Sequence, residues 1–480
     1  MLQTDEKKVA AWSGLVTPER RVSTFLLSIT TMIFAFSEFF VSAAMPAAAD
    51  EFASPWLLPW SFILFLVASV TTGAAASAIR GRFGLRWPLV LANLVLMAGS
   101  LLGYLADDPQ ILLAGRALQG VAEGAAIGLA YMLIPQVYTG GLIARVFGLE
   151  SLVWAAAAFI APALAGALTQ YVSWRAPFAL TIPVAALALL LSLYVPEGEK
   201  RGEGGAGAPW LQLMFLAGAV LLMSAASLVE IGPAFIFLLA SAGIIGLFFW
   251  IDQRGQTRIL PHSAFSSNSI IGNGVWLTFL MPVTAAAGSV YFIYALIEIA
   301  GLETLAASLV RSLLAICWSL VAFWVSNRDA QARERCAAFG GPLIAAGYGL
   351  MLVAFASGSV VLAGLGQVFV GFAFGLTWGP LSQILLEKAS DNDRDRMAAL
   401  LPLLQSIGFA IGGAFFGFVA NASGIREGAL PDAVQAGIVT IFAFALAVAC
   451  LAVFFNLRLT KRLRREPAVK APAVASPAES

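Results

Sequence analysis

Three side chains within one apolar run concentrate the chemistry of this 480-residue chain. Between Ile111 and Pro135, in the stretch ILLAGRALQGVAEGAAIGLAYMLIP, stand Arg116, Gln119 and Glu123. Steps of three and four residues place them on one face of a helix, with about two turns, roughly 10 Å, between guanidinium and carboxylate. The run is long enough to cross a bilayer, since ~20 helical residues span the ~30 Å hydrocarbon core. A charge at mid-membrane costs at least ~2.5 kcal/mol, so the stripe must face a partner or a water-filled cavity rather than lipid. Such a helix reads as one wall of a solute pathway. A carboxylate that moves between a dry site and the neighbourhood of a guanidinium exchanges its proton, which suits Glu123, with a second intramembrane acid at Glu38, to couple solute and proton movement. A static ion pair that fixes helix packing is the competing reading.

Covalent chemistry has no counterpart in the sequence. There is no GxxxxGK[ST] phosphate loop, no HExxH and no GxSxG elbow, so the energy for movement must come from an ion or solute gradient. Cys317, Cys336 and Cys450 are scattered without CxxC spacing and read as apolar fillers. A single histidine, His262, excludes a histidine-rich metal centre by count. No cofactor or metal is expected. The formal net charge of +1 leaves no basic excess for nucleic acid. A membrane enzyme would need a catalytic cluster at one face, which is missing; a receptor that binds without flux is the other non-transporting alternative.

The elements that must position these groups are membrane helices. The chain is 60% hydrophobic and 11% charged, with a mean hydropathy of +0.87, which marks an all-α polytopic membrane protein. Fourteen apolar runs stand out, near 23–46, 56–79, 87–106, 110–136, 145–169, 174–195, 210–228, 232–251, 269–297, 304–326, 337–357, 359–386, 398–421 and 434–457. With the N-terminus inside and the spans alternating, 24 of the 28 Lys and Arg residues fall on the inner side, as the positive-inside rule requires. An even count with both termini cytoplasmic follows. Twelve spans remain an alternative, because the pair 210–228 and 232–251 can be removed without reversing any other span. The expected division is an N-tail (1–22), a six-helix bundle (23–195), a Gly-rich linker (196–209), two extra helices (210–251), a loop (252–268), a second six-helix bundle (269–457) and a disordered tail (458–480). Two six-span halves suggest a transporter built from repeats around a midplane site.

Other polar stations lie within the spans. Glu38 and Arg116 fall at similar depth, roughly 10–12 Å from the same surface by helical rise, and would pair if their helices are neighbours. Arg311 is expected to snorkel or to pair with Glu298 or Glu303, with a cavity-facing cation for an anionic solute as the alternative. Trp60, Trp154, Trp276, Trp318 and Trp378 are packing or interfacial residues, Trp154 and Trp276 being the best placed to stack on an aromatic solute. Gly148, Ala157, Ala161, Ala165 and Gly166 permit close helix approach around Pro162, a hinge.

These residues resemble the major facilitator superfamily, and within it the fourteen-span drug/proton antiporters, over most of 23–457. Arg116 and Gly120 match the family's R-x-x-x-G pattern, whose arginine is linked to proton transfer in relatives. Gly148, Ala157, Ala161, Pro162, Ala165 and Gly166 are similar to the exporter signature G-x8-G-x3-G-P-x2-G-G, with three glycines replaced by alanine. Trp174, Arg175, Phe178 and Pro183 resemble the start of span six, and Leu260, Pro261 and Phe265 the loop into span nine. The gating motif G-x-x-x-D-R-x-G-R-R appears as Ser77, Gly81, Arg82, Gly84, Leu85 and Arg86, without its aspartate. The first-span motif of the branch places an acid where this chain has Ser37, with Glu38 one position on, about 100° round the helix.

The resemblance implies an inner-membrane exporter of hydrophobic or amphipathic compounds driven by proton entry. Glu38, Arg116 and Glu123 would couple the proton; Glu38, Gln119, Glu123, Trp154, Trp276 and Arg311 would meet substrate; Arg82, Gly84, Arg86, Gly148, Pro162 and Gly166 would gate. Membrane lipid, protons and a small molecule are the expected partners, with a periplasmic adaptor as a further one. A proton-linked importer of a small metabolite is the alternative on the same fold.

Overall fold

The computed structural model describes residues 12–139, 141–197, 210–254, 260–261, 264–326, 328, 330–425 and 428–465. Long apolar segments with no water to satisfy their backbone fold as helices, where every amide bonds within its own segment. They are α1 (Arg21–Glu51), α2 (Leu57–Phe83), α3 (Arg86–Leu105), α4 (Pro109–Tyr131), α5 (Gly141–Tyr171), α6 (Ala176–Ser192), α7 (Trp210–Ala225), α8 (Ile231–Arg254), α9 (Ile270–Ala300), α10 (Thr304–Ser326), α11 (Gly340–Ser357), α12 (Val360–Lys388), α13 (Asp391–Ala422) and α14 (Pro431–Leu463). Eleven helices among the described residues are long and apolar enough to cross a membrane. The polar stripe dilutes α4, which is not one of them, and α6 and α7 are shorter.

Helix boundaries follow local chemistry. Asp108 caps α4, its carboxylate accepting from the Gln110 and Ile111 amides at 2.7 and 3.0 Å, with Pro109 at the first turn where no amide is needed. The sequence reads as one span through Pro135, but α4 stops at Tyr131 and a four-residue helix, Ile134–Val137, follows. Pro135 has no amide to donate to the Tyr131 carbonyl, so the last turn tightens through Met132 and Leu133 bonds to Leu129 and Ala130. At the other extreme α13 and α14 run past their apolar cores into charged residues.

Helix pairing repeats along the chain. The neighbours α1·α5, α2·α4, α3·α4, α3·α6 and α1·α6 recur eight helices later as α9·α13, α10·α12, α11·α12, α11·α14 and α9·α14. The two sets meet along α5·α10 and α2·α13. Helix α7 packs on α2 and α13, and α8 packs mainly on α7. Where α1 ends and α2 begins, the Glu51 end, the seam is bonded: Gln170 donates to Glu303 at 2.7 Å and accepts from the Leu305 amide at 3.0 Å, and Ser42 donates to the Ser289 carbonyl at 3.0 Å. Gly166 lies there too, so tightly on α10 that a Cβ would stand 2.8 Å from the Leu305 Cα.

Candidate functional site

Helix α4 lies in close backbone contact with its neighbours. Gly120, Gly124 and Gly128 recur every four residues and lie against the α2 backbone, where a Cβ would run into the carbonyls of Phe65 and Ser69 or the Ala76 methyl. On the other flank Gly115 meets Gly99 of α3. Small residues at such spacing let helix backbones approach and so place short polar groups of one helix within reach of the next.

That approach completes the polar stripe. Arg116 is 1% exposed; its Nη1 donates to Gln119 Oε1 at 2.6 Å and its Nε to the Ser61 carbonyl at 3.2 Å. Its guanidinium carbon lies 4.3 Å from the Phe65 ring centroid, close enough for a cation–π contact. Gln119 Nε2 passes the chain on to Ser100 Oγ at 2.9 Å. Two turns along, Glu123 Oε1 accepts from Ser37 Oγ of α1 at 2.9 Å. Its second oxygen is buried without a hydrogen-bond partner. Among the described residues no carboxylate lies within ion-pair distance of Arg116, whose hydrogen bonds go to Gln119 and the Ser61 carbonyl. Leaving a buried carboxyl oxygen without a hydrogen bond costs about 1–3 kcal/mol.

An aromatic wall adjoins the stripe. Phe34 of α1 lies 6.3 Å, centroid to centroid, from both Phe65 of α2 and Trp154 of α5, and Trp154 is 40% exposed. Trp276 is elsewhere. It stacks on Phe455 at 5.1 Å, donates to the Phe265 carbonyl at 2.9 Å and packs edge-on to Phe265 and Phe279, so its indole is spent on the α9–α14 contact.

Arg311 departs from the expected interfacial position. It is 6% exposed and turns inward between α9 and α12, donating to Ser289 Oγ at 3.2 Å and Gln367 Oε1 at 3.4 Å, while Glu303 takes its hydrogen bond from Gln170. The reason is helical phase: Arg311 stands on the side of α10 that packs against α12, where polar side chains already wait. Glu38 lies within α1, but its side chain is outside the described residues, as are His262, Arg426, most of the 196–209 linker and the tail after Arg465.

The gating residues separate into two groups. Gly84 adopts φ +80°, which the Leu85 amide uses to reach the Glu197 carbonyl at 3.0 Å. Arg86 bonds the Val195 carbonyl at 2.8 Å and pairs with Glu197 at 3.5 Å, so this loop is pinned to the end of the α6 segment; Arg82 is exposed against Phe83. On α5, Ala157, Ala161 and Ala165 are buried, Pro162 sits within an unbroken helix, and a Cβ on Gly148 would make ordinary contact with the Trp12 ring at 3.4 Å. The family-like Trp174 and Arg175 clamp the Glu51 carboxylate, Arg175 through two bonds of 2.9 and 2.7 Å and Trp174 through one of 2.6 Å.

Sequence reasoning passed over Ser61, Ser100 and Phe65, which carry no local signal, and Glu150, a 3% exposed acid on α5 that the charge pattern alone would have flagged. Ser37 was noticed only as a motif mismatch.

Relatives and solved structures agree with this architecture. A probable multidrug-efflux transporter of Mycobacterium tuberculosis H37Rv, Rv1634, is 26% identical over 421 residues, covering 84% of this chain and 88% of that protein. The multidrug efflux pump SdrM of Staphylococcus aureus N315 is 20% identical over 418 residues, covering 84% and 91%. Among solved structures, a D-xylose–proton symporter aligns with a TM-score of 0.63 at 15% identity, over 91% of this chain and 97% of its own. The Major Facilitator Superfamily profile matches residues 27–413, and with the paired helix bundles and the buried stripe of α4 this places the chain as a member of that transporter superfamily.

Proposed function

We propose that the chain is a secondary transporter that works by alternating access and exports hydrophobic or amphipathic small molecules in exchange for protons. The observation that carries this reading is Glu123: buried, held by Ser37 through one oxygen, with the other unbonded. Glu123 takes and releases the proton, and Arg116, two turns away, supplies the field that changes as the helices move. The first-span position at which the resembling branch carries an acid is here Ser37, whose hydroxyl meets the carboxyl of α4 instead. Glu38 is assigned a supporting acid role. Phe34, Phe65 and Trp154 form an apolar, aromatic surface beside the stripe suited to planar lipophilic compounds, and the relatives named for multidrug efflux agree in kind. Fourteen membrane spans, two six-helix bundles with α7 and α8 added at the α2·α13 seam, and both termini in the cytoplasm accord with the basic loops at the Arg21 end. On that orientation the bonded Glu51 end faces outward, and the conformation is closed to the outside. The setting is the plasma membrane of the cell, the inner one where there are two.

The test uses protein in proteoliposomes with an acidic interior and ethidium outside. Wild type should accumulate dye while dissipating the gradient, and Glu123→Gln should not. Wild-type vesicles indistinguishable from protein-free ones across a panel of lipophilic dyes would refute export by proton exchange. Solute and proton moving in the same direction would instead establish an importer, the activity of the D-xylose–proton symporter that shares the fold.

A further inference from the structure

Glu150 is a buried carboxyl that the stripe of α4 does not use. It lies on α5, 3% exposed. Ser28 Oγ of α1 donates to its Oε1 at 3.5 Å, the Thr31 hydroxyl faces the same carboxyl, and its second oxygen has no hydrogen-bond partner. Thr24, one turn before Ser28, shares a 2.6 Å hydrogen bond with the Tyr138 hydroxyl and donates to the Leu15 carbonyl at 2.6 Å. Thr24, Ser28 and Thr31 are spaced by four and three residues and therefore stand on one face of α1. Six residues beyond Thr31, about 9 Å by helical rise, is Ser37, bonded to Glu123. Six residues turn a helix by about 600°, so Ser37 stands roughly 120° round α1 from Thr31, and one helix presents a hydroxyl to the coupling acid on one side and a face of three to a second acid nearer the Arg21 end on another.

The other charged groups nearby are engaged or remote. Tyr131 at the end of α4 and Tyr138 beyond it lie near enough to feel the Glu150 charge, the Tyr138 hydroxyl being bonded to Thr24. Arg20 donates to the Val137 and Gly14 carbonyls, Arg145 lies on the Trp12 ring, and Arg311 of α10 is bonded to Ser289 and Gln367. No cation is bonded to Glu150 among the described residues. A glutamine would serve packing equally well.

We infer that Glu150 is a second proton station, nearer the Arg21 end than Glu123, which receives the proton that Glu123 gives up and releases it to water at the Arg21 end. The inference rests on the proton-coupled reading above. The proton leaves the Glu123 carboxyl, the Glu150 carboxylate gains it, and water takes it as Glu150 ionises again; no other reactant is consumed. Substrate-for-substrate exchange needs no such release, and this separates the two functions.

The test compares wild type, Glu123→Gln, Glu150→Gln and Glu150→Asp in the ethidium proteoliposomes, measuring gradient-driven accumulation, ethidium counterflow at equal pH, and melting temperature in detergent. Glu150→Gln should lose gradient-driven accumulation by about 100-fold, the scale of a lost acid–base group, with counterflow within about twofold of wild type; Glu150→Asp should recover part of the loss. Gradient-driven accumulation within about twofold of wild type in Glu150→Gln would overturn the inference alone, provided Glu123→Gln is inactive. Loss of counterflow together with a lowered melting temperature would assign Glu150 to packing and overturn it as well. A wild type that ignores the gradient would remove both this inference and the coupled reading.

Discussion

Substituting Gly166 by alanine should tip the transporter away from the conformation described here. The added Cβ would lie 2.8 Å from the Leu305 Cα and 3.0 Å from the Ser308 side chain. The first of these is backbone, so no rotamer change relieves it; α5 and α10 must part by several tenths of an ångström at the Glu51 end. Overpacking of this order costs about 1–3 kcal/mol. In alternating access the helices separate at that end in the opposite state, so the penalty falls on one state only and shifts the equilibrium by roughly 5–150-fold. The gain in helix propensity from Gly to Ala acts on both states and cancels. Gly148→Ala is the internal control, because its Cβ meets only a Trp12 ring carbon at 3.4 Å. After replacement of Cys317, Cys336 and Cys450, spin labels at Val172 and Leu430, which are 70% and 74% exposed, would report the distance between the two bundles at the Glu51 end. Gly166→Ala should enrich the longer distance and Gly148→Ala should not. Identical distance distributions for Gly166→Ala and its parent would refute the reasoning, since either the contact survives in both states or the helices do not separate there.

Three further outcomes are expected. Trp154→Ala should raise the ethidium KM by about 3–10-fold with little change in melting temperature, whereas Trp276→Ala should destabilise the fold by about 3–5 kcal/mol and leave the KM of the surviving protein unchanged, as its stacking on Phe455 implies. Arg116→Ala should abolish gradient-driven transport and lower the melting temperature, because two charge-assisted hydrogen bonds worth about 1.5–3 kcal/mol each disappear; Arg116→Lys, with one donor fork fewer, should recover stability more than transport. Arg175→Ala should cost about 1.5–3 kcal/mol, chiefly from the bond of 2.7 Å to the Ala106 carbonyl, since the partly exposed Glu51 pair adds little and less at high salt; a thermal melt that shows a loss well under about 1 kcal/mol would refute the Ala106 contribution.

Much of this was legible because it depends on spacing along one helix. Arg116, Gln119 and Glu123 share a face by arithmetic, and the hydrogen bond from Arg116 to Gln119 is that arithmetic made contact. Gly166 announced a close approach that α10 supplies, while Gly120, read only as part of the R-x-x-x-G pattern, meets α2 as closely. Arg311 was misread for the opposite reason: its depth along the chain is local, but the direction in which it points depends on Gln367, 56 residues away. The same holds for Trp276, an anchor in one neighbourhood and a substrate platform in another, with Phe455 deciding between them.

What the sequence by itself determined is therefore whatever the 1.5 Å rise and 100° turn of a helix convert directly into position: a polytopic helical chain, a basic and a non-basic end, and a polar stripe on its fourth long helix. Which acid receives a hydroxyl was decided only in three dimensions. Ser37 and Glu123 are 86 residues apart, and Ser28 and Glu150 122; their meeting depends on how α1 is rotated against α4 and α5, and a helix carries no local record of its own rotation. Packing of small residues sets that phase, and with it the side chains that face one another across the seam.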